Sequence, residues 1–266
     1  MTHHVYPTDF TTYIEFDKIF YRLTSFNDKA KYAESLSEEQ LMFRGFFGMT
    51  VAHQLAYHGV LPKRYITKEL LLTTDDRGNS VAHFLAGSGC FPEEYMTEDV
   101  LRLPDQWGDA VAHRLAKSGI LPEKYFSKEL LLLAGRKGET VAYYLAKSDT
   151  LPERYYAEEP AILKSAIHIL AERGTLPEKY YTKKLLRIRN NNGWTVAHVL
   201  AEKSALPEKF RTLEWMTLKI SESATTVAHL LAENGTLPEE CQTPDILSLL
   251  NHNGSVVQLL YVHIAA

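Results

Sequence analysis

The sequence predicts an all-α protein: a repeat solenoid of helix-turn-helix units with short finger loops. A Val-Ala-His-x-Leu-Ala motif begins at Val51 and recurs at steps of 30, 30, 30, 25, 30, 31 and 29 residues, ending in a degraded copy at Val256. Leu-Pro and an aromatic residue follow most copies, and glycines recur between them. Because a fixed period of about 20–50 residues marks a repeat architecture, each unit is expected to bury its apolar face against its neighbours.

The first half of each unit is predicted to be a turn followed by a short helix. In the unit from Arg77 to Asp105, Gly78 suits a tight turn and Ser80 stands where an N-cap hydroxyl belongs. The stretch from Val81 to Ala86 places its alanines and leucine on one face, and Gly89 ends the helix. Equivalent N-caps are Thr50, Thr140, Thr195 and Thr226, and equivalent glycines are Gly59, Gly119, Gly174 and Gly235.

The second half is predicted to be another short helix and then an extended finger. Proline and glutamates open the segment from Phe91 to Tyr95, which suits a helix start, and Tyr95 is expected to point inward. Thr97 is expected to break this helix, so that Val100-Leu101 runs in extended form to the next turn at Gly108. The equivalents of Tyr95 are Tyr65, Tyr125, Tyr155, Tyr180 and Phe210.

These residues resemble the ankyrin repeat. The segment from Leu71 to His83 is similar to the ankyrin finger and first helix, in which Asp-x-x-Gly-x-Thr-Pro-Leu-His is followed by x-Ala-Ala and glycine, and Asn191 to His198 is the best match. The resemblance covers roughly residues 48–261, in a form similar to repeats of bacterial proteins. The chain differs in having valine for the helix-opening proline, a unit about three residues shorter, and Leu-Pro-Glu-x-Tyr in place of a longer second helix.

The repeats organise the chain into four predicted regions. Residues 1–47 form a helical N-terminal cap, 48–155 hold repeats one to four, 156–255 hold repeats five to seven, and 256–266 form a C-terminal cap. In the cap, one amphipathic helix is expected from Phe10 to Leu23, and Ser37 to Gln40 looks like a capping box that opens a second helix.

The fifth repeat is shortened by five residues, and Pro160 stands where its finger should begin. We expect this finger to be missing or replaced by a tight bend. The gap is either a tolerated loop deletion or a functional notch in a binding surface.

Composition narrows the function classes. The net charge of −4, from 29 basic and 33 acidic residues, gives no basic field for nucleic acid or an anionic membrane. Apolar runs are too short to span a bilayer, and two distant cysteines suit a reducing compartment. The N-terminus lacks a signal-peptide pattern, so a cytoplasmic protein is expected, with secretion into a host by a signal-independent route as an alternative.

The motif histidines invite a metal interpretation, but the spacing disfavours it. Helices pack about 8–10 Å apart, whereas zinc ligands must lie about 2 Å from one ion. The ankyrin resemblance implies instead that each histidine braces its own turn against the neighbouring finger by hydrogen bonds. We therefore expect no metal and no cofactor, and a structural role for His53, His83, His113, His168, His198 and His229.

The sequence favours a protein that binds another protein and is not an enzyme, because no nucleophile elbow, phosphate loop or metalloprotease motif occurs. The finger tips and the fourth motif position vary and carry hot-spot residue types. Predicted partner-binding residues are Arg77, Asn79, Phe84, Trp107, Asp109, Arg114, Arg136, Lys137, Tyr144, Asn192 and Trp194.

Three alternatives stay open at this point. Trp107 and Trp194, both beside turn glycines, either contact a partner or pack on the adjacent finger. The protein could be an effector or immunity-type inhibitor that occludes its target. An enzyme would place carboxylates and a histidine near Pro160.

Overall fold

A computed structural model of the 266-residue chain describes residues 12–220, 224–249 and 257. In these residues the regular structure is helical, and extended segments pair only through isolated bridges. The chain divides into two compact units, Met1–Pro152 and Glu153–Ala266. The predicted all-α class is confirmed for this part of the chain.

The first compact unit begins with two helices of eight and nine residues, where the sequence predicted one. They span Tyr13–Phe20 and Phe26–Glu34. Phe16 and Phe20 are fully buried, and the Phe16 ring stacks on that of Tyr32 with centroids 6.0 Å apart. The first helix is shorter than predicted because Thr12 caps it with a capping box; the predicted start at Phe10 lies outside the described residues.

The Val-Ala-His motif forms a two-turn helix in successive units. Three of these helices have a threonine N-cap whose hydroxyl accepts a hydrogen bond from the third helical amide: Thr50 from His53, Thr140 from Tyr143 and Thr195 from His198. Val51 and Ala52 are completely buried, and the small alanines allow neighbouring motif helices to pack closely. These helices are Val51–Tyr57, Val81–Gly87, Val111–Lys117, Val141–Lys147, Val196–Glu202 and Val227–Glu233.

The second half of the unit differs from the prediction. The Pro-Glu-x-Tyr segment forms one 3-10 turn, as at Lys63–Tyr65, Glu93–Tyr95, Glu123–Tyr125, Glu178–Tyr180, Glu208–Phe210 and Glu239–Cys241. The Tyr95 side chain is only half-buried, its hydroxyl donates to the Ile66 carbonyl oxygen at 2.6 Å, and the next residue, Met96, enters the core. The predicted inward orientation of the tyrosine is therefore only partly right.

The prediction that Thr97 ends a helix and that Val100-Leu101 is extended is wrong. Thr97 begins a one-turn helix, Glu98–Leu101, in which both apolar residues are buried. A hydroxyl residue can end one helix and cap the next. The new helix allows the apolar side chains of Val100 and Leu101 to be buried. The equivalent short helices are Glu38–Leu41, Lys68–Leu72, Lys128–Leu131, Lys183–Leu186, Leu213–Met216 and Pro244–Leu247.

The fifth repeat replaces its finger with helix. Glu153–Glu158 is followed directly by the 13-residue helix Pro160–Glu172, which contains the fifth copy of the motif. Pro160 occupies the first helical turn, where its missing amide costs no hydrogen bond. The finger is absent as expected, and one extended residue, Glu159, at φ −122° and ψ 98°, links the two helices in its place.

The two ends of the repeat region also differ from the predicted boundaries. The helix Glu38–Leu41 and the bridge between Arg44 and Thr50 already have the arrangement of later units, so the expected boundary after residue 47 falls inside a finger. The predicted C-terminal cap, 256–266, lies outside the described residues except for Val257, which is buried. Among the helices that can be described, none is both long and apolar enough to cross a membrane.

The short helices provide a test of the revised unit. Ser127 Oγ accepts a hydrogen bond from Leu130 N at 3.1 Å, so Ser127→Ala should lower the free energy of unfolding by about 1 kcal/mol. Ser127→Asp is the matched control, because aspartate is an equally good N-cap and should retain the stability. Urea unfolding measures both, and equal midpoints for the two variants would contradict the helix start at this residue.

Candidate functional site

Finger loops connect each short helix to the next motif helix. The described loops are closed by bridges between residues six or seven apart, and where a glycine follows the tip it adopts positive φ, as Gly78 does at 71°. A side chain at Gly78 would also meet Gln106 N at 2.9 Å in the next finger. The bridged pairs are Arg44 with Thr50, Thr74 with Ser80, Pro104 with Ala110, Ala134 with Thr140, Arg189 with Thr195 and Lys219 with Thr226.

Buried acids hold the loops from within. The Asp75 carboxylate, only 7% exposed, accepts hydrogen bonds from Arg77 N at 2.9 Å and Asn79 N at 2.8 Å. Asp105 does the same for Trp107 N at 2.9 Å, and its side chain is also paired with Arg114 Nη2 at 3.2 Å. The backbone below these two tips is therefore fixed independently of the side chains at the tip.

Successive fingers of the first unit are joined by backbone contacts. Asp76 N donates to the Phe47 carbonyl at 2.9 Å, and Gln106 N donates to the Arg77 carbonyl at 3.0 Å. The next finger continues the series through a side chain, since Arg136 N donates to Asp109 Oδ1 at 2.7 Å. The tips of neighbouring fingers are thus held beside one another.

Aromatic rings and guanidinium groups alternate along these tips. The Arg77 guanidinium lies 4.7 Å from the Phe47 ring centroid, and that of Arg136 lies 5.3 Å from the Trp107 ring. The side chains remain accessible: Phe47 is 63% exposed and Trp107 is 40% exposed. We call Phe46, Phe47, Arg77, Trp107, Arg136 and Lys137 the tip ladder.

The sequence missed the first members of the tip ladder. Phe46, at 72% exposure, and Phe47 precede Gly48 as Arg77 precedes Gly78, but they fall within the region predicted to be the N-terminal cap. The tip-then-glycine pattern was the signal that could have found them. Tyr57 is a further missed residue; its ring is 61% exposed and contacts the Phe84 ring edge-on at 6.2 Å.

The two tryptophans are not equivalent, although both lie beside turn glycines. Trp107 precedes its glycine and stands at the tip, whereas Trp194 follows Gly193 and leads into the motif helix. The Trp194 ring is half-buried and meets the His198 ring at 6.1 Å. The tip of that finger is formed instead by the exposed residues Asn191 and Asn192.

The fourth motif position faces the fingers in the first unit. Arg114 pairs with Asp105 and reaches Asn79 Oδ1 at 3.3 Å, and the Tyr144 hydroxyl donates to Glu139 Oε2 at 2.6 Å. These side chains, like Phe84, are half-buried. In the second unit the same position is apolar and buried, at Ile169, Val199 and Leu230.

The structure separates the predicted partner-binding residues by exposure. Arg77, Trp107, Arg136, Lys137 and Asn192 are exposed; Phe84, Asp109, Arg114, Tyr144 and Trp194 are half-buried. Asn79, at 8% exposure, is not on the surface, because its amide donates to the Asp75 carboxylate. The Asn79 side chain, which the sequence predicted to bind a partner, instead forms a hydrogen bond within its own loop.

The motif histidines connect three parts of the fold. The His113 Nδ1 atom accepts a hydrogen bond from Ala110 N at 2.9 Å, and its Nε2 atom lies 3.0 Å from the Leu133 carbonyl oxygen in the next finger. His83 and His198 repeat both contacts; His53 and His229 make the Nδ1 contact with their N-cap residues, and His168 makes the Nε2 contact. An Nδ1 that accepts and an Nε2 that donates define the neutral tautomer protonated at Nε2.

Burial disfavours the charged imidazole. It lowers the pKa of His53, His83, His113 and His168, and lowers the pKa of His198 to about 4, although the carbonyl acceptors partly oppose the shift. Protonation at Nδ1 would also replace an acceptor with a donor facing the N-cap amide. Nothing in this geometry gathers the imidazoles at one point: no group of three or more potential metal-ligand side chains occurs in the described ranges.

His113 allows the bracing contact to be tested where no hydroxyl assists it, since its N-cap is Ala110. His113→Ala leaves the Ala110 amide and the Leu133 carbonyl without their side-chain partner and should cost about 1–3 kcal/mol of unfolding free energy. His113→Gln is the control, because Gln40 Oε1 accepts the Ser37 amide at 2.9 Å in the first short helix. Chemical denaturation should rank wild type above Gln and Gln above Ala; equal stability of all three would contradict bracing.

The lowered pKa values predict acid sensitivity. The unfolded imidazoles titrate near 6.5 and the folded ones lower, to about 4 for His198, so the unfolded state binds more protons between these values. The unfolding free energy should be fully present above pH 6.5 and fall below it, by up to about 1.4 kcal/mol per pH unit for each histidine. Denaturation at several pH values should give a shallower slope for His198→Gln than for wild type; an unchanged slope would exclude this histidine as a contributor.

Comparisons with known proteins give little support for a relationship. No family model matches the chain, and no curated protein matches it. Among solved structures, a chain from the complex of Bd0816 predatory endopeptidase from Bdellovibrio bacteriovorus with immunity protein Bd3460 is similar over 84% of this chain and 93% of that chain, with 15% identity and a TM-score of 0.33. A likeness this weak carries no argument about fold or function.

Proposed function

We propose that the chain is an ankyrin-like repeat protein that binds another protein through its finger-and-first-helix face. The motif helices, short helices and bridged fingers recur in register with the sequence period, which supports the repeat interpretation. Repeat stacks present side chains from successive units along one extended surface. The observation that carries the proposal is the tip ladder of the first unit.

The tip ladder has the composition of a protein interface. Aromatic residues and arginine dominate interface hot spots, because they bury a large area with few rotatable bonds or form several hydrogen bonds. Trp107 exposes its ring on a loop whose backbone is already fixed by the buried Asp105, and Phe46 and Phe47 expose theirs on a loop closed by the hydrogen bond from Gly45 N to the Met49 carbonyl oxygen. Binding through such loops requires little ordering of the backbone, which lowers the entropic cost of association.

The charges on this face indicate an acidic partner. The ladder itself contains the exposed cations Arg77, Arg136 and Lys137, and Arg44 adds another beside it, while Asp75 and Asp105 are buried in the same loops. Lys117 and Lys147 extend the basic character, since each follows a fourth motif position by three residues and shares its side of the helix. Asp76 is the exposed exception. Such a surface would accelerate association with a negatively charged protein.

The same contacts support a role without catalysis. A catalytic imidazole needs a free nitrogen within reach of substrate and a pKa near the working pH. In His83 and His198 both ring nitrogens contact the backbone, and burial lowers their pKa values. These histidines are used to hold the repeats together.

Trp107→Ala tests the proposed surface. The variant removes an exposed ring above a fixed loop, so affinity for a partner isolated by pull-down should fall by about 2 kcal/mol, or roughly thirtyfold, with little change in melting temperature. Calorimetric titration and thermal unfolding on the same preparation measure both quantities.

Leu213→Ala is the matched control, because Leu213 is a similarly exposed apolar residue, at 53%, on a short helix away from the fingers. It should leave affinity unchanged. Undiminished affinity in Trp107→Ala for every recovered partner, or an equal loss in Leu213→Ala, would move the binding site away from the tip ladder.

A further inference from the structure

Neighbouring short helices are joined by ion pairs on the side of the unit that carries the Pro-Glu-x-Tyr turns. Lys68, the first residue of its helix, places Nζ 2.6 Å from Asp99 Oδ2 in the next short helix. Lys183 Nζ lies 2.8 Å from Glu214 Oε2 at the corresponding place in the second unit, and Arg187 Nη2 lies 2.7 Å from Glu214 Oε1. At these junctions a cation of one repeat forms an ion pair with an acid of the next repeat.

The junction between Glu38–Leu41 and Lys68–Leu72 lacks this cation. Glu38 stands where Lys68 and Lys183 stand in their helices, and it faces a junction whose acid is Glu69. Neither glutamate forms an ion pair with a lysine or arginine in the described part of the chain. In place of the pair there is an open groove of about 240 Å³, with both glutamates in its lining.

The lining of this groove suits an alkyl chain that ends in a positive charge. Leu41, Met42, Leu70 and Tyr65 supply apolar surface, and the two carboxylates supply the charge. Lysine and arginine lay their methylene groups along apolar surface and keep the charged end among polar groups. The volume is below the range of about 300–1,000 Å³ that is typical of pockets for whole small molecules, so one side chain is the appropriate occupant.

We propose that the Glu38–Glu69 groove binds a lysine or arginine side chain of another polypeptide. The chain itself supplies the template, because Lys68 occupies the equivalent place one unit later and neutralises the equivalent acid. The bound lysine or arginine supplies the cation that this junction lacks because Glu38 stands in the place of a lysine. This site is separate from the tip ladder and does not depend on the function proposed for it.

A related groove lies two repeats later, but one of its two glutamates is already paired with an arginine. It holds about 400 Å³ and is lined by Glu98 and Glu129, at the positions of Glu38 and Glu69. Arg102, where the first groove has Met42, places Nε 3.0 Å from Glu98 Oε1. Because this junction already contains a cation, the first groove is the stronger binder of an external one.

The test uses small probes with a charge-free control. Acetyl-Gly-Lys-Gly-amide and acetyl-Gly-Arg-Gly-amide are titrated into the full-length protein, and the methyl resonances of Met42 and Leu70 are followed by NMR. The norleucine tripeptide has the same backbone and a similar alkyl chain without charge. Saturable shifts with the basic peptides alone are expected; equal shifts with norleucine, or shifts spread evenly over surface carboxylates, would overturn the proposal.

Variants test the charge pattern. Glu38→Lys supplies an internal cation and should weaken binding of the lysine peptide at least about fivefold, without lowering the melting temperature. Glu38→Gln keeps the side-chain length, removes one charge and should give a smaller loss of affinity. Because this variant is isosteric with the wild type, a loss of affinity in it does not come from misfolding. Conversely, Lys68→Glu opens the next junction and should create peptide-induced shifts at Val100. Unchanged affinity in both Glu38 variants would overturn the proposal, as would the absence of a new site in folded Lys68→Glu.

Discussion

The imidazole of the Val-Ala-His motif is the contact on which the rest of the repeat depends. In His113 one nitrogen accepts the amide at the start of its own helix, and the other lies 3.0 Å from a carbonyl oxygen of the following finger. One side chain thereby fixes a helix start, a loop and the neighbour of that loop. Because the ring must stay neutral to do this, fold stability and protonation are linked at the motif histidines whose pKa burial lowers, His53, His83, His113, His168 and His198.

This arrangement leaves the finger tips free to vary. Asp75 and Asp105 accept the amides of their loops from below, and Gly78 allows the next finger to approach closely. The tip side chains therefore contribute little to holding the loop, and their composition can follow the needs of binding. The stacked Arg77 and Phe47 show a surface in which charge and apolar area are placed together before any partner arrives.

Charge also distinguishes one junction between short helices from another. Lys68 begins its helix and pairs with an acid in the next repeat, whereas Glu38 begins its helix without such a pair, and its junction is an open groove. Exposed pairs of this kind contribute little to stability individually, on the order of 0–1 kcal/mol. Their pattern therefore affects recognition more than folding, since it decides which junctions present unpaired acid to a partner.

Local signals predicted the motif helices well because each helix start depends on residues within one turn. Thr50 caps Val51–Tyr57 as its hydroxyl type indicates, and Gly59 follows with positive φ. The short helix after Thr97 was missed because the same hydroxyl can end one helix or begin another, and four residues are too few to show a period. Phe46 and Phe47 were missed because their unit lacks the preceding motif.

The sequence by itself determined the helical class, the spacing of the units and the places where helices begin, because these follow from caps, glycines and periodicity within a few residues. Only the tertiary structure decided which variable side chains are exposed. Asn79 is buried against Asp75, Trp194 packs near His198, and Trp107 is left accessible at the tip. These outcomes depend on contacts with residues of the same or the neighbouring loop, whose positions are set by the packing of successive units and not by local sequence.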